Sequence, residues 1–136
     1  MDEGIFKISR DLERAMDLLE IAQDRINYII PSLPKDKYYK ILEEYYEAIV
    51  QLLTAIMYLD GYKTLSHISL IKYLSDNYKN LSKQQIILID QMRKLRHGTF
   101  YYGKKINQDF FINNEADVKL LISTLVKLVK SKFNIK

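Results

Sequence analysis

The chain has 136 residues and a mass of 16.2 kDa, about one ordinary domain, with 48% hydrophobic and 28% charged residues, a globular rather than disordered balance. With only 4 glycines, 2 prolines and no cysteine, it lacks the turn residues that sandwiches, barrels and Gly-rich cofactor folds need, and disulfides, thiolate metal sites and cysteine nucleophiles are excluded. The net charge of +4 hides a division: residues 1–60 carry 7 Lys/Arg against 12 Asp/Glu (−5), and residues 61–136 carry 14 against 5 (+9).

An all-α chain follows as the expectation. Residues 5–30 repeat apolar side chains at helical spacing, from Ile5, Ile8 and Leu12 through Ala15, Leu19 and Ala22 to Ile26 and Ile29. Pro31 and Pro34 then end the helix, because neither can donate a backbone hydrogen bond. Glu13, Asp17, Glu20 and Asp24 form an acidic stripe on one face, with Arg10, Arg14 and Arg25 close enough to pair with it. No Glu-x-x-His pair accompanies these carboxylates, so the stripe reads as a solvated face rather than a metal site.

The second helix is expected over 35–60. Tyr38, Leu42, Tyr45, Ile49, Leu52, Ile56 and Leu59 alternate spacings of four and three, a heptad-like seam. A second row of Ile41, Ala48 and Ala55 widens the apolar face and leaves room for a close helix crossing or a dimer contact. Gly61 is the expected C-cap.

A short helix follows near 66–79, capped by Thr64 or Ser66, with His67 at its start as a local capping or hydrogen-bonding residue. Ser82 and Gln85 form a capping box that opens a fourth helix running to about 102, closed by Gly103. The stretch 103–114 has no period and reads as a loop with two exposed aromatics, Phe110 and Phe111. Asn114 and Asp117 then start a last helix over 115–133, with Val118, Leu121, Leu125, Leu128 and Lys132 in line. One domain, 1–136, of about five helices is the reading. The N-terminus is charged throughout and no apolar run reaches the ~18 residues of a membrane span, so neither leader nor membrane is expected, and a cytoplasmic location is the expectation.

Few motifs carry chemistry. There is no GxGxxG, no GxxxxGK[ST] and no GxSxG, and only two histidines, His67 and His97. No cofactor and no metal is implied. The exception is the end of the fourth helix, where Arg93, Lys94, Arg96 and His97 precede Phe100, Tyr101 and Tyr102, and Lys104 and Lys105 follow. Guanidinium groups fork onto phosphates and aromatic rings stack on unpaired bases, so RNA is the candidate ligand. Cations also favour a helix C-terminus, which gives the cluster a structural reason of its own. The tyrosines at Tyr38, Tyr39, Tyr45 and Tyr46, at helical spacing, read as core or dimer seam rather than a base-stacking platform.

The run Gly61-Tyr-Lys-Thr-Leu-Ser-His-Ile-Ser-Leu-Ile-Lys-Tyr-Leu74, followed by Leu95-Arg-His-Gly-Thr-Phe-Tyr-Tyr-Gly103, resembles the HEPN superfamily. The Glu43-Glu-Tyr-Tyr-Glu-Ala48 helix is similar to that family's second helix, and the resemblance spans about residues 40–105. It implies an up-and-down helical bundle, commonly a homodimer, that is either a metal-independent endoribonuclease or the partner of a minimal nucleotidyltransferase in a toxin–antitoxin pair. The family's active motif is an Arg, a polar residue, and a His after four to six intervening positions. Arg96 and His97 match the first two, but Tyr101 and Tyr102 stand where the His belongs, and from Arg93 only three positions precede His97. A phenol titrates near ~10 against ~6.5 for imidazole, so it is a poor acid or base at neutral pH. The expectation is a homodimeric module that binds RNA or a nucleotidyltransferase without cleavage, through Arg93, Lys94, Arg96, His97, Tyr101, Tyr102, Lys104 and Lys105. The alternatives are an endoribonuclease acting through Arg96 with His97, Tyr101 or Tyr102, and a purely structural interaction dimer.

Overall fold

The computed structural model describes residues 4–134. Over them the chain is an all-α bundle of five helices with a minimal two-stranded sheet, and none of the helices is long and apolar enough to cross a membrane. Helix α1 spans Leu12–Asp24, α2 Tyr38–Asp60, α3 His67–Asn77, α4 Lys83–Tyr102 and α5 Gln108–Asn134; strands β1 (Ile5–Lys7) and β2 (Tyr62–Thr64) pair antiparallel, Phe6 opposite Lys63.

Helix α2 is the central element. Its heptad seam from Leu42 through Leu59 is buried, and so is the Ala48 and Ala55 row. The small residues serve a close crossing inside the chain: Ala15 and Ala22 of α1 are also fully buried, and α1 against α2 is the most extensive helix contact. Glycine closes α2 as the capping rule requires, with Gly61 at φ 87°, a left-handed conformation. A Cβ there would sit 3.2 Å from the Ile8 carbonyl oxygen, so both the angle and the close approach select glycine.

Helix α1 begins later than its periodicity predicts. Residues 5–7 pair with β2, Ile8 N–H donates to the Gly61 carbonyl at 2.8 Å, and Asp11 caps α1 by accepting from Arg14 N–H at 3.0 Å. Spacing could not reveal this, because the partner strand lies more than fifty residues away in sequence. At its other end the helix widens into a π-turn, Arg25–Ile29, before a last turn at Ile30–Ser32. Pro31 lies in that last turn. In a regular helix its ring would meet the carbonyl four residues back, and the wider turn, closed by Ile30 N–H on the Arg25 carbonyl, makes room.

The acidic stripe of Glu13, Asp17, Glu20 and Asp24 is exposed. The arginines expected to pair with it turn toward α2 or the cap instead. Arg25 meets the buried carboxylate of Glu44 at 2.6 Å and Gln51 at 3.0 Å, Arg10 donates to the Leu59 carbonyl at 2.6 Å, and Arg14 pairs with Asp11. Attraction to a carboxylate out of water outweighs attraction to a solvated one.

A second correction concerns 103–114. Helix α5 starts at Gln108 rather than 115, and Phe110 and Phe111 are only 9% exposed. Phe111 stacks on Tyr38 with ring centroids 5.7 Å apart, and Asn114 is no cap: its amide donates back to the Phe110 carbonyl within the helix.

Ser66 caps α3, and the capping box at Ser82 is complete, Ser82 Oγ accepting from Gln85 N–H at 3.1 Å and Gln85 Oε1 from Ser82 N–H at 2.9 Å. Ser82→Ala is therefore expected to cost about 1 kcal/mol. Urea unfolding followed by helical circular dichroism measures it, and an unchanged midpoint would show that the cap contributes nothing.

Candidate functional site

Helices α2, α3 and α4 meet at a cleft of about 310 Å³ lined by Tyr46, Leu65, Ser66, His67, Ile68, Arg93, Arg96, His97 and Tyr101. Its α4 wall follows from helical spacing, since positions 93, 96, 97 and 101 fall on adjoining rows of one face. Lys94 lies outside the cleft and pairs with Asp90 at 3.3 Å. Tyr102 is also outside the lining and well exposed, although its ring centroid stands 6.0 Å from that of His97.

Both arginines have a carboxylate partner. Arg93 Nε donates to Asp90 Oδ1 at 2.9 Å, and Arg96 reaches Glu47 Oε1 of α2 at a looser 3.5 Å. Burial pushes the Asp90 carboxyl up, but Arg93 and Lys94 more than offset it and hold it below its ordinary value. The floor of the cleft is thus less basic than the residue types suggest. Just past the end of α4, Lys104 and Lys105 are exposed and make no ion pair among the described residues. The chain is turned back there by Gly103 at φ 64°, with Thr99 Oγ1 donating to the Lys104 carbonyl at 2.8 Å and the Lys104 stem lying over Gly98.

Arg96 is the under-satisfied member. Its Nε is sealed from solvent with no hydrogen-bond partner among the described residues, and its guanidinium lies 5.3 Å from the Phe100 ring centre. A buried donor left without an acceptor costs roughly 1–3 kcal/mol. In the same cleft His97 and Tyr101 form a close ring pair, centroids 4.5 Å apart, and Phe100 meets Tyr101 edge-on at 4.9 Å.

His67 does not cap its own helix. Its Nδ1 lies 2.9 Å from the hydroxyl of Tyr46 on α2. Burial raises the Tyr46 phenol to about 12, so it stays protonated, and donation to His67 gives its O–H an acceptor among the described residues. We therefore assign Nδ1 as acceptor and Nε2 as the protonated nitrogen of a neutral ring. Burial also lowers the His67 pKa; Glu47 opposes the shift, and Arg96 and Arg93 add to it. Because the folded state binds this proton less readily than the unfolded chain, the resulting stability is complete above about pH 6.5 and is lost as pH falls below it. Thermal unfolding at stepped pH is expected to show that loss in the native chain and a reduced one in His67→Gln. Equal slopes in the two proteins would overturn the assignment.

Of the expected site residues, Arg93, Arg96, His97 and Tyr101 come together; Lys94 and Tyr102 share their helix but not the lining, and Lys104 and Lys105 follow its end. Sequence reasoning missed Tyr46, Glu47, Leu65, Ser66 and Ile68 as neighbours of this cluster, and it placed His67 apart from His97. Among the described residues no group of three or more His, Cys, Asp or Glu is arranged to hold a metal ion. The tyrosines of α2 are largely core: Tyr45 and Tyr46 are buried, Tyr38 is partly so, and only Tyr39 is exposed. The chain matches no family model, no curated protein and no solved structure.

Proposed function

We propose that this chain is a HEPN-like, non-catalytic module that binds single-stranded RNA at the α2–α3–α4 cleft, as a homodimer, in association with a nucleotidyltransferase of toxin–antitoxin type. The observation that carries the reading is the Arg96 guanidinium in one cleft with Arg93, His97 and Tyr101, with one nitrogen lacking an acceptor among the described residues. A phosphate supplies acceptors to that fork, and a base stacks on the exposed rings of Phe100, Tyr101 and Tyr102. The exposed apolar side chains at the cleft, Leu65 (95% exposed) and Ile68, support a face covered by a second copy.

Fluorescence anisotropy of a short labelled single-stranded RNA is the test. Affinity is expected to fall linearly with salt on a log–log scale. Arg93→Ala/Arg96→Ala is expected to weaken binding about tenfold or more, as loss of charge-assisted hydrogen bonds should. Salt-insensitive binding, or an unchanged double variant, would remove the RNA reading and leave the interaction dimer. Sedimentation tests the dimer itself: a monomer at every concentration rules it out.

One observation favours a second reading, endoribonuclease activity. The fold brings His67 and His97 into the cleft that holds Arg96, so an acid–base pair of imidazoles is available although the Arg-to-His spacing is not met. RNA left intact by the concentrated protein would exclude it; cleavage lost in both Arg96→Ala and His67→Ala would establish it over the binding module.

A further inference from the structure

A second, larger cavity shares no residue with the cleft. About 650 Å³ in volume, it lies between the π-turn with the segment that follows it, α2 and α5. Between Gln23 and Ile41 no residue is buried, and the π-turn Arg25–Ile29 falls within that stretch. The widened turn leaves Ile26 and Ile30 as a partly exposed apolar wall, facing Ile122 of α5. π-turns of this kind recur at functional sites.

The opposite wall is aromatic. Tyr38 and Phe111 are stacked with an interplanar angle of 29°, and the Tyr45 ring lies 6.5 Å from Phe111. Lys35 and Lys119 also line the cavity, and neither makes an ion pair among the described residues. The single lining carboxylate, Glu115, is near Tyr45, whose phenol is raised to about 12 by burial and, less, by this charge. Two lysines against one carboxylate leave one unit of positive charge, set over an apolar, ring-lined chamber within the ~300–1,000 Å³ range of small-molecule sites.

We propose that this cavity is a binding site for a small aromatic monoanion: a flat apolar body carrying one carboxylate or sulfonate. The body lies between the Ile26–Ile30–Ile122 wall and the Tyr38–Phe111 pair, and the anionic group meets Lys119 and Lys35. A flat ring gains from stacking on Tyr38 and Phe111 what an acyl chain does not. A single anion matches the net charge.

Anilinonaphthalene sulfonate, which fluoresces on leaving water, is the probe for the full chain. It is expected to bind at one site, to be displaced by naphthoate better than by laurate, and to bind more tightly than neutral phenylnaphthylamine. Lys119→Glu, a substitution at an exposed position, is expected to weaken it about tenfold, and Ile26→Trp, which fills the chamber, to abolish it. Circular dichroism checks that both variants keep their helices. Equal affinity for the neutral dye, or an unchanged Lys119→Glu, would overturn the charge argument. Better displacement by laurate would replace the aromatic ligand with an acyl one and overturn the assignment. Binding lost in Leu65→Asn/Ile68→Asn instead of the cavity variants would place the dye on the exposed face and overturn the site.

Discussion

Replacing Asp60 with alanine is expected to lower the unfolding free energy by about 3 kcal/mol. Asp60 is the last residue of α2, and three side chains converge on it: the Tyr73 hydroxyl donates to Oδ2 at 2.7 Å, the Tyr78 hydroxyl to the same oxygen at 2.5 Å, and Lys132 Nζ reaches Oδ1 at 2.6 Å. Burial, reinforced by the Asp60 carboxylate, raises both phenols, so each remains a donor. Lys132 also lies over the Tyr78 ring at 5.0 Å. Removing the carboxylate strands two donors and a cation together, which is why the loss exceeds that of a surface ion pair. The figure sits at the low end of the buried range because the Asp60 and Lys132 side chains keep 17% and 18% exposure. Asp60→Asn retains an acceptor without the charge and should fall between. Urea unfolding of the three proteins checks the order; a loss in Asp60→Ala below about 1 kcal/mol would place the cluster with ordinary surface pairs.

The second large effect is expected at Phe111. Phe111→Ala should cost about 3 kcal/mol, the low end of the range for buried phenylalanine, because the ring already borders an open cavity. It removes the stack on Tyr38, the contact with Tyr45 and the edge-on contact with Phe110. An exposed loop aromatic would cost almost nothing, so the same measurement decides between a loop and a helix at this position. The apolar stripe of α5 continues upstream through Phe110 and Phe111, four and three positions before Asn114. The intervening asparagines concealed it, because asparagine at a helix start and asparagine within a helix look alike until the side-chain partner is known.

Much of α2 to α4 could be read directly. The alternation from Tyr38 to Leu59, the capping box at Ser82, and the glycines at 61 and 103 are local signals, and each element forms where they place it. Lys132 within an apolar row was a further clue, because a lysine there needs a buried partner, which Asp60 supplies. The α4 side of the cleft was legible for the same reason, since Arg93, Arg96, His97 and Tyr101 belong to one helix face. Its other walls were not. Tyr46 and Glu47 come from α2, and His67 from the start of α3, and nothing in their spacing relates them to α4.

What this sequence determines alone is whatever depends on neighbours within about one helical turn: the α class, the caps, the buried face of α2, and one basic, aromatic face on α4. Tertiary structure decides the rest, because it depends on pairs far apart along the chain. It draws residues 5–7 away from α1 into a strand with 62–64, and turns Arg25 from its own acidic stripe to Glu44. It also brings the two histidines into one cleft and lets Glu47 and Asp90 offset part of the arginine charge there. Periodicity constrains which side of a helix is apolar, but the energy of a buried charge or hydroxyl depends on which distant side chain reaches it.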